Sequence, residues 1–183
     1  MPRMYVPKYM EYEKRKKQAA KYTSKKREMQ SLQEKLRKEQ QERAARLEKA
    51  SSDVRQAAIK GNAQLLKSLL KGQQGVSAVD ITLPNTGSAR RNALHEAAAR
   101  GHEGVMNALL ELQFARQLLA SRAGDSRTAL HFAAWAGHQG CMRKLLDKIS
   151  QGDSRSLALA QQDASGWTPL FYADAGMAKL LLE

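Results

Sequence analysis

Four histidines, His95, His102, His131 and His138, and a single cysteine, Cys141, are the residues of this chain best suited to hold a metal ion or to act as a nucleophile. A zinc centre needs several imidazole, thiolate or carboxylate ligands converging on one point. A cysteine nucleophile needs a base within hydrogen-bond reach. Neither pattern is met. The histidines recur at the same two positions of an internal repeat, which is the mark of a structural role. Cys141 lies on the apolar side of a helical pattern and is expected to be a small buried hydrophobe. No phosphate loop, dinucleotide fingerprint, nucleophile elbow or zinc-protease motif is present. Gly101-His102-Glu103-Gly104 belongs to a repeat turn. The expectation is a non-enzymatic protein without cofactor, metal or small-molecule substrate.

The repeat occupies residues 53–183. Its four lines read RQAAIKGN (Arg55–Asn62), HEAAARGH (His95–His102), HFAAWAGH (His131–His138) and FYADAG (Phe171–Gly176), aligned on the glycine that ends each Ala-rich stretch. Gly61, Gly101 and Gly137 are 40 and 36 residues apart. Leucine-rich helical patterns follow, at Leu65-Leu66 with Leu69-Leu70, at Val105 with Leu109-Leu110, and at Cys141 with Leu145-Leu146. Each unit therefore predicts a short helix, a glycine turn, a second helix and a long polar loop. Leu94, Ala97 and Ala98 fall at i, i+3 and i+4, as do Leu130, Ala133 and Ala134, so each first helix has one apolar face. Gly101 and Gly137 sit where a helix must stop in the left-handed conformation. The repeats span about 53–84, 85–121, 122–160 and 161–183. Extra length is expected in surface loops at Asn85–Arg91, Gln113–Ala120 and Ser150–Ser156.

These lines resemble ankyrin repeats. The resemblance rests on Thr128-Ala129-Leu130-His131 with Ala133-Ala134 and Gly137-His138, and on Asn92-Ala93-Leu94-His95 with Gly101-His102. Asp163, Gly166 and Thr168-Pro169-Leu170 supply the turn and helix start of the last unit. That unit departs from the pattern at Phe171, where the family has His, and is shortened after Ala173. The first unit has Arg55 at the His position and reads as an N-terminal cap. The resemblance implies an all-α helical solenoid of about 3.5 repeats. It also implies histidines that hydrogen-bond the turns and a protein partner bound across the solenoid's concave surface.

Charge divides the chain differently. Residues 1–50 hold 16 Lys/Arg and 7 Asp/Glu, against 15 and 11 in residues 51–183, so most of the net +13 sits in the first segment. Two domains are expected: a basic arm over 1–50 and the repeat domain over 51–183. After Pro2 and Pro7 the arm has no Pro or Gly up to Lys49 and is rich in helix formers. Acid-to-base pairs recur at four-residue spacing: Glu11–Arg15, Glu13–Lys17, Glu34–Lys38, Glu39–Arg43 and Glu42–Arg46. A break near Tyr22-Thr23-Ser24 and a capping box at Ser31/Glu34 are alternatives to one continuous helix. As a coiled coil the arm is poor, because Gln40 and Arg43 interrupt a seam of Met29, Leu32, Leu36, Leu47 and Ala50.

The clusters Lys14-Arg15-Lys16-Lys17 and Lys25-Lys26-Arg27 suit either a solvated helix face or contact with a polyanion, whether nucleic acid or an acidic protein surface. Tyr5, Tyr9, Tyr12 and Tyr22 interleave with them. In the repeats, Ile59, Arg100, Phe132, Trp135 and Tyr172 are read as exposed positions of the first helices, and Trp167 as a loop tip. All six are candidate protein-binding residues, aromatics and Arg being common interface anchors. Phe132 and Trp135, three apart, are placed on one exposed face. At the C-terminus Leu180, Leu181 and Leu182 either close the solenoid inward or are covered by a partner, the second being preferred.

The reading that follows is an interaction adaptor or structural subunit of a larger assembly. The solenoid docks on a protein and the arm lies on an acidic surface. A nucleic-acid-binding subunit of a ribonucleoprotein is the alternative, and a microtubule-associated protein a third. No apolar run approaches the roughly 18 residues of a membrane span, so no membrane partner is expected. Without a secretory signal, and with Glu11 and Glu13 unlike a mitochondrial presequence, an intracellular location follows. Cytoplasm or nucleus is favoured, with mitochondrion and cilium or cytoskeleton as alternatives.

Overall fold

A computed structural model describes residues 8–72, 89–150 and 155–182. Tyr5 and most of the loop at Asn85–Arg91 lie outside the described residues, as does the centre of Ser150–Ser156. The chain divides into two units, residues 1–46 and 47–183. Ten helices are found among the described residues, and no strand. None of these helices is long and apolar enough to cross a membrane.

The described residues of the first unit are all helical. Helix α1 (Lys8–Ile59) runs for 52 residues without interruption. Of the readings the arm allowed, the continuous helix is the one that forms, and neither alternative break does. Thr23 Oγ1 donates to the Ala20 carbonyl at 2.8 Å, and Ser31 Oγ to the Glu28 carbonyl at 2.8 Å. Both hydroxyls thus bond back onto the helix and let it continue. Two of the five expected ion pairs close, Lys38–Glu34 at 3.2 Å and Arg46–Glu42 at 4.0 Å.

The second unit begins within α1. Ala50, Val54, Ala57 and Ala58 are buried, so the end of α1 serves as the inner helix of the first repeat. The remaining inner helices are α3 (Ala93–Arg100), α6 (Ala129–Ala136) and α9 (Pro169–Tyr172). The outer helices are α2 (Ala63–Gly72), α4 (Glu103–Leu110), α7 (Gln139–Ser150) and α10 (Ala175–Leu182). Helix α3 packs on α6 and α6 on α9; outer helices pack α2 on α4, α4 on α7 and α7 on α10. Leu94, Ala97, Ala98, Leu130, Ala133 and Ala134 form the expected apolar face and are buried with Val105, Leu109, Cys141 and Leu145.

The first three inner helices each end on a left-handed glycine: Gly61 (φ 71°), Gly101 (φ 74°) and Gly137 (φ 74°). The next amide reaches back five residues, Asn62 to Ala57, His102 to Ala97 and His138 to Ala133, at 3.0–3.1 Å, closing the helix ends.

Two parts of the repeat reading are corrected. Gly176 is not a turn glycine, because it lies inside α10. Its true equivalents are Gly104 and Gly140, early in the outer helices. A Cβ at Gly104 would touch the Ala63 side chain at 3.5 Å, one at Gly140 would run into Glu103, and one at Gly176 would lie 2.7 Å from Gln139 Nε2. In each case the glycine faces the first residue of the preceding outer helix. The last unit instead turns at Asp174, whose Oδ1 accepts the Met177 N–H at 2.7 Å. Second, Gln113–Ala120 is not simply a polar surface loop. It contains α5 (Ala115–Ala120), with Ala115 and Leu118 buried in the core. A further short helix, α8 (Arg155–Leu159), precedes the last repeat.

Candidate interaction surfaces

The histidines are internal fasteners. His95 Nδ1 accepts the Asn92 N–H at 3.2 Å, while Asn92 Oδ1 accepts the His95 N–H at 3.0 Å. That reciprocal pair starts α3. The other ring nitrogen, Nε2, donates to the Ser121 carbonyl at 3.2 Å. His131 repeats the arrangement in α6, with Nδ1 accepting from Thr128 N–H at 3.1 Å and Nε2 donating to the Trp167 carbonyl at 3.1 Å. Both rings therefore work as neutral imidazoles. Burial pushes the His95 pKa down to about 4, with Arg91 adding to the effect, and burial likewise lowers that of His131. His102 Nε2 lies 3.0 Å from the Ile59 carbonyl, joining the second repeat to the end of α1. No cluster of metal-ligating side chains occurs among the described residues. Cys141 is buried, and that burial raises its pKa to about 11, the nearby Glu103 contributing.

A second set of contacts carries the stacking onward. The Arg91 guanidinium lies 4.5 Å above the Phe132 ring, and that of Arg127 lies 4.8 Å above the Tyr172 ring. Tyr172 Oη donates to Asp163 Oδ2 at 2.6 Å and accepts from Arg127 Nη2 at 2.8 Å. Asp163 Oδ1 also accepts the N–H groups of Ser165 (2.8 Å) and Trp167 (3.0 Å). Burial alone would raise the Asp163 pKa. The donors, Tyr172 first and then the backbone and Arg127, outweigh it and bring the value down to about 2.

These contacts decide which of the expected surface residues reach solvent. Phe132 does not. It is fully buried, under Arg91 and 5.4 Å from the His95 ring. The expectation of one exposed Phe132/Trp135 face is thereby corrected. Phe132 turns toward the neighbouring repeat, under Arg91 and against His95, while Trp135 is left open. Trp135 is 60% exposed. Its equivalents, Ile59 and Ala99, are half-buried. Arg100 is exposed and paired with Glu96 at 3.4 Å. Tyr172 is half-buried by its bonds to Asp163 and Arg127. Trp167 is exposed and stacks on Phe171 at 4.2 Å. Leu170 and Phe171 are exposed beside it, whereas their counterparts in the third repeat, Leu130 and His131, are buried. Met177 and Leu181 turn inward and Leu182 outward.

Near Trp135 the last unit is shorter than the others, with one residue between Tyr172 and Asp174 where five separate Phe132 from His138. A Cβ at Gly61 would meet His102 Nδ1 at 2.7 Å and one at Gly101 would meet His138 Nδ1 at 2.7 Å, but no neighbouring atom lies within 4 Å of one at Gly137. The stacking histidine is absent there.

In the first unit, Lys14, Arg15, Lys16, Lys17, Lys25, Lys26 and Arg27 are all exposed, and none belongs to an ion pair among the described residues. Four consecutive helical residues point about 100° apart. Lys14 to Lys17 therefore surround the helix and do not share one face.

The periodic fasteners were the part that sequence reasoning missed in detail. Their signals were present: Arg91 and Arg127 are 36 residues apart, one before each helix-starting Asn92 or Thr128. The profile of a family described as ankyrin repeats (3 copies) matches residues 54–156 and 114–183. Comparison with curated proteins finds no match. With inner and outer helices stacked in register and more than half of the chain matched, the chain belongs to the ankyrin-repeat family.

Proposed function

We propose that the chain is a non-enzymatic adaptor or structural subunit that brings two surfaces together. The solenoid holds a protein partner and the basic arm meets an acidic one. The observation that carries this reading is the exposure of Trp135. Its ring stands 60% open in a column whose other members, Ile59 and Ala99, are apolar and half-buried. A large aromatic left open beside a smooth apolar strip is suited to be an interface anchor. Exposed Arg100 and Trp167 are proposed as further contacts. The seven cations of the two α1 clusters, in no ion pair among the described residues, support the second contact. Joining two weak contacts raises affinity through effective concentration. Phe132 is excluded from the surface by its burial.

The test is a pull-down from cell extract with three full-length proteins: the native chain, Trp135→Ala, and a variant with the seven arm cations changed to Gln. Each is run with and without nuclease. The reading expects nuclease-resistant partners that W135A and the arm variant each reduce. A native catch emptied by nuclease would replace it with a nucleic-acid-binding role. Loss of partners from neither variant would end it.

A further inference from the structure

Between Lys21 and Leu47 the large apolar side chains of α1 are Tyr22, Met29, Leu32, Leu36 and Leu47. At about 100° per residue all five fall within an arc of roughly 80°. Tyr22, Met29, Leu32 and Leu36 form its exposed part, each at least 50% open to solvent, along roughly 21 Å of helix. The same spacing continues to Ala50 and Val54, which are buried in the repeat unit.

Its border is basic. Residues 21–38 carry seven Lys/Arg and two Asp/Glu. Lys25 lies within the arc, and Lys21 and Lys26 border it. Of the two acids, Glu34 lies on the far side and is taken up by Lys38 at 3.2 Å, and Glu28 stands at the border beside Lys21, so the excess of base there rests on Lys21, Lys25 and Lys26. A phosphate backbone makes use of the charge but leaves the leucines exposed. A second copy of the arm brings like charge against like charge. A bilayer surface favours a helix with a broad apolar face, and here four large side chains stand on a narrow one.

We infer that residues 22–36 of α1 dock as a helix in an apolar groove of a partner protein whose rim is acidic. This rests on the proposed acidic contact of the arm and adds that the contact has an apolar seat. The four side chains enter the groove, and Lys21, Lys25 and Lys26 meet carboxylates at its edge. That is recognition by one helical face with spaced apolar anchors.

The test uses the full chain with a photoreactive benzophenone residue in place of Leu32, or of Ser31 about 100° away, cross-linked in cells and identified by mass spectrometry. The expected result is one protein linked from position 32 and not from 31, through a segment in which apolar residues are flanked by Asp or Glu. That protein, purified, is then titrated with M29Q/L32Q/L36Q and with K21Q/K25Q/K26Q. Glutamine retains helix propensity, and far-UV circular dichroism checks that helix content is unchanged. Each triple variant is expected to weaken binding tenfold or more. If the charge variant weakens binding and the apolar variant does not, the acidic contact stands and the groove is overturned. If neither weakens binding, both readings fall. Labelling of lipid or nucleic acid, or equal labelling from position 31, also overturns the groove.

Discussion

The Nε2–H of His131 donates to the backbone carbonyl of Trp167, 36 residues away, at 3.1 Å. One imidazole thereby ties the inner helix of the third repeat to the segment that begins the fourth, while its Nδ1 holds the start of its own helix. His95 likewise engages both nitrogens one repeat earlier, tying the start of α3 to Ser121 at the far end of its own repeat. Both nitrogens are engaged only when the ring is neutral, and this makes the solenoid sensitive to acid.

Folding stability should fall as pH drops below 6.5. The His95 pKa is depressed from 6.5 to about 4 in the folded chain. A depressed value means the neutral form is favoured by folding, so its contribution is complete above 6.5 and is lost as pH falls toward 4. The difference corresponds to roughly 3 kcal/mol as an upper bound. Urea unfolding at pH 7.5, 6.0 and 5.0 should show the decline, and His95→Gln should flatten it while lowering stability at pH 7.5.

Asp163→Asn should destabilise the last repeat by about 1–3 kcal/mol, because a carboxylate accepting several donors is replaced by an amide that must present hydrogens to some of them. The folded pKa of about 2 lies below the ordinary 3.8, so the carboxylate's contribution is present above 3.8 and fades as pH falls toward 2. Thermal unfolding of D163N and the native chain at pH 7 and pH 3 should show a smaller gap at pH 3.

Phe132→Ala and Trp135→Ala should separate core from surface. Removing a buried Phe costs about 3–5 kcal/mol, whereas an exposed Trp costs on the order of 0.5 kcal/mol. Chemical denaturation should rank them so. Partner binding should respond to W135A at unchanged helix content.

Gly101→Ala and Gly104→Ala should move stability in opposite directions. Gly101 has φ 74° and faces His138, so a Cβ there is strained in both respects and should cost more than 1 kcal/mol. Gly104 is helical with ordinary contact distance to Ala63, and Ala should stabilise it by about 0.5–1 kcal/mol. The shift in unfolding midpoint measures each.

The middle repeats were legible because each residue in them serves one local need that its type announces. Leu94, Ala97 and Ala98 repeat at helical spacing, and Gly101 stops the helix. Phe132 misled because helical spacing separates faces only when one side of a helix is covered. Helix α6 has a repeat on either side, and the equivalent residue in α3, Glu96, is half-exposed and polar. The identity of the covering residue, Arg91, lies 41 positions away, beyond any local period. Gly176 misled for the opposite reason. A four-residue deletion moved it into the register of Gly104 and Gly140, and a glycine after alanines looks the same in both places. The alternative breaks in α1 at Thr23 and Ser31 did not form because a hydroxyl that caps a helix also bonds back within one.

Four fasteners in the solenoid span a repeat boundary: His102 to Ile59, His131 to Trp167, Arg91 to Phe132 and Arg127 to Tyr172. Cooperativity in such an array travels neighbour to neighbour. Amides in α3 and α6, clasped from both directions, would open only with the whole array. Those in α9, joined to the array through Trp167 and Tyr172 from the α6 side, would exchange with deuterium sooner than those of α3 and α6.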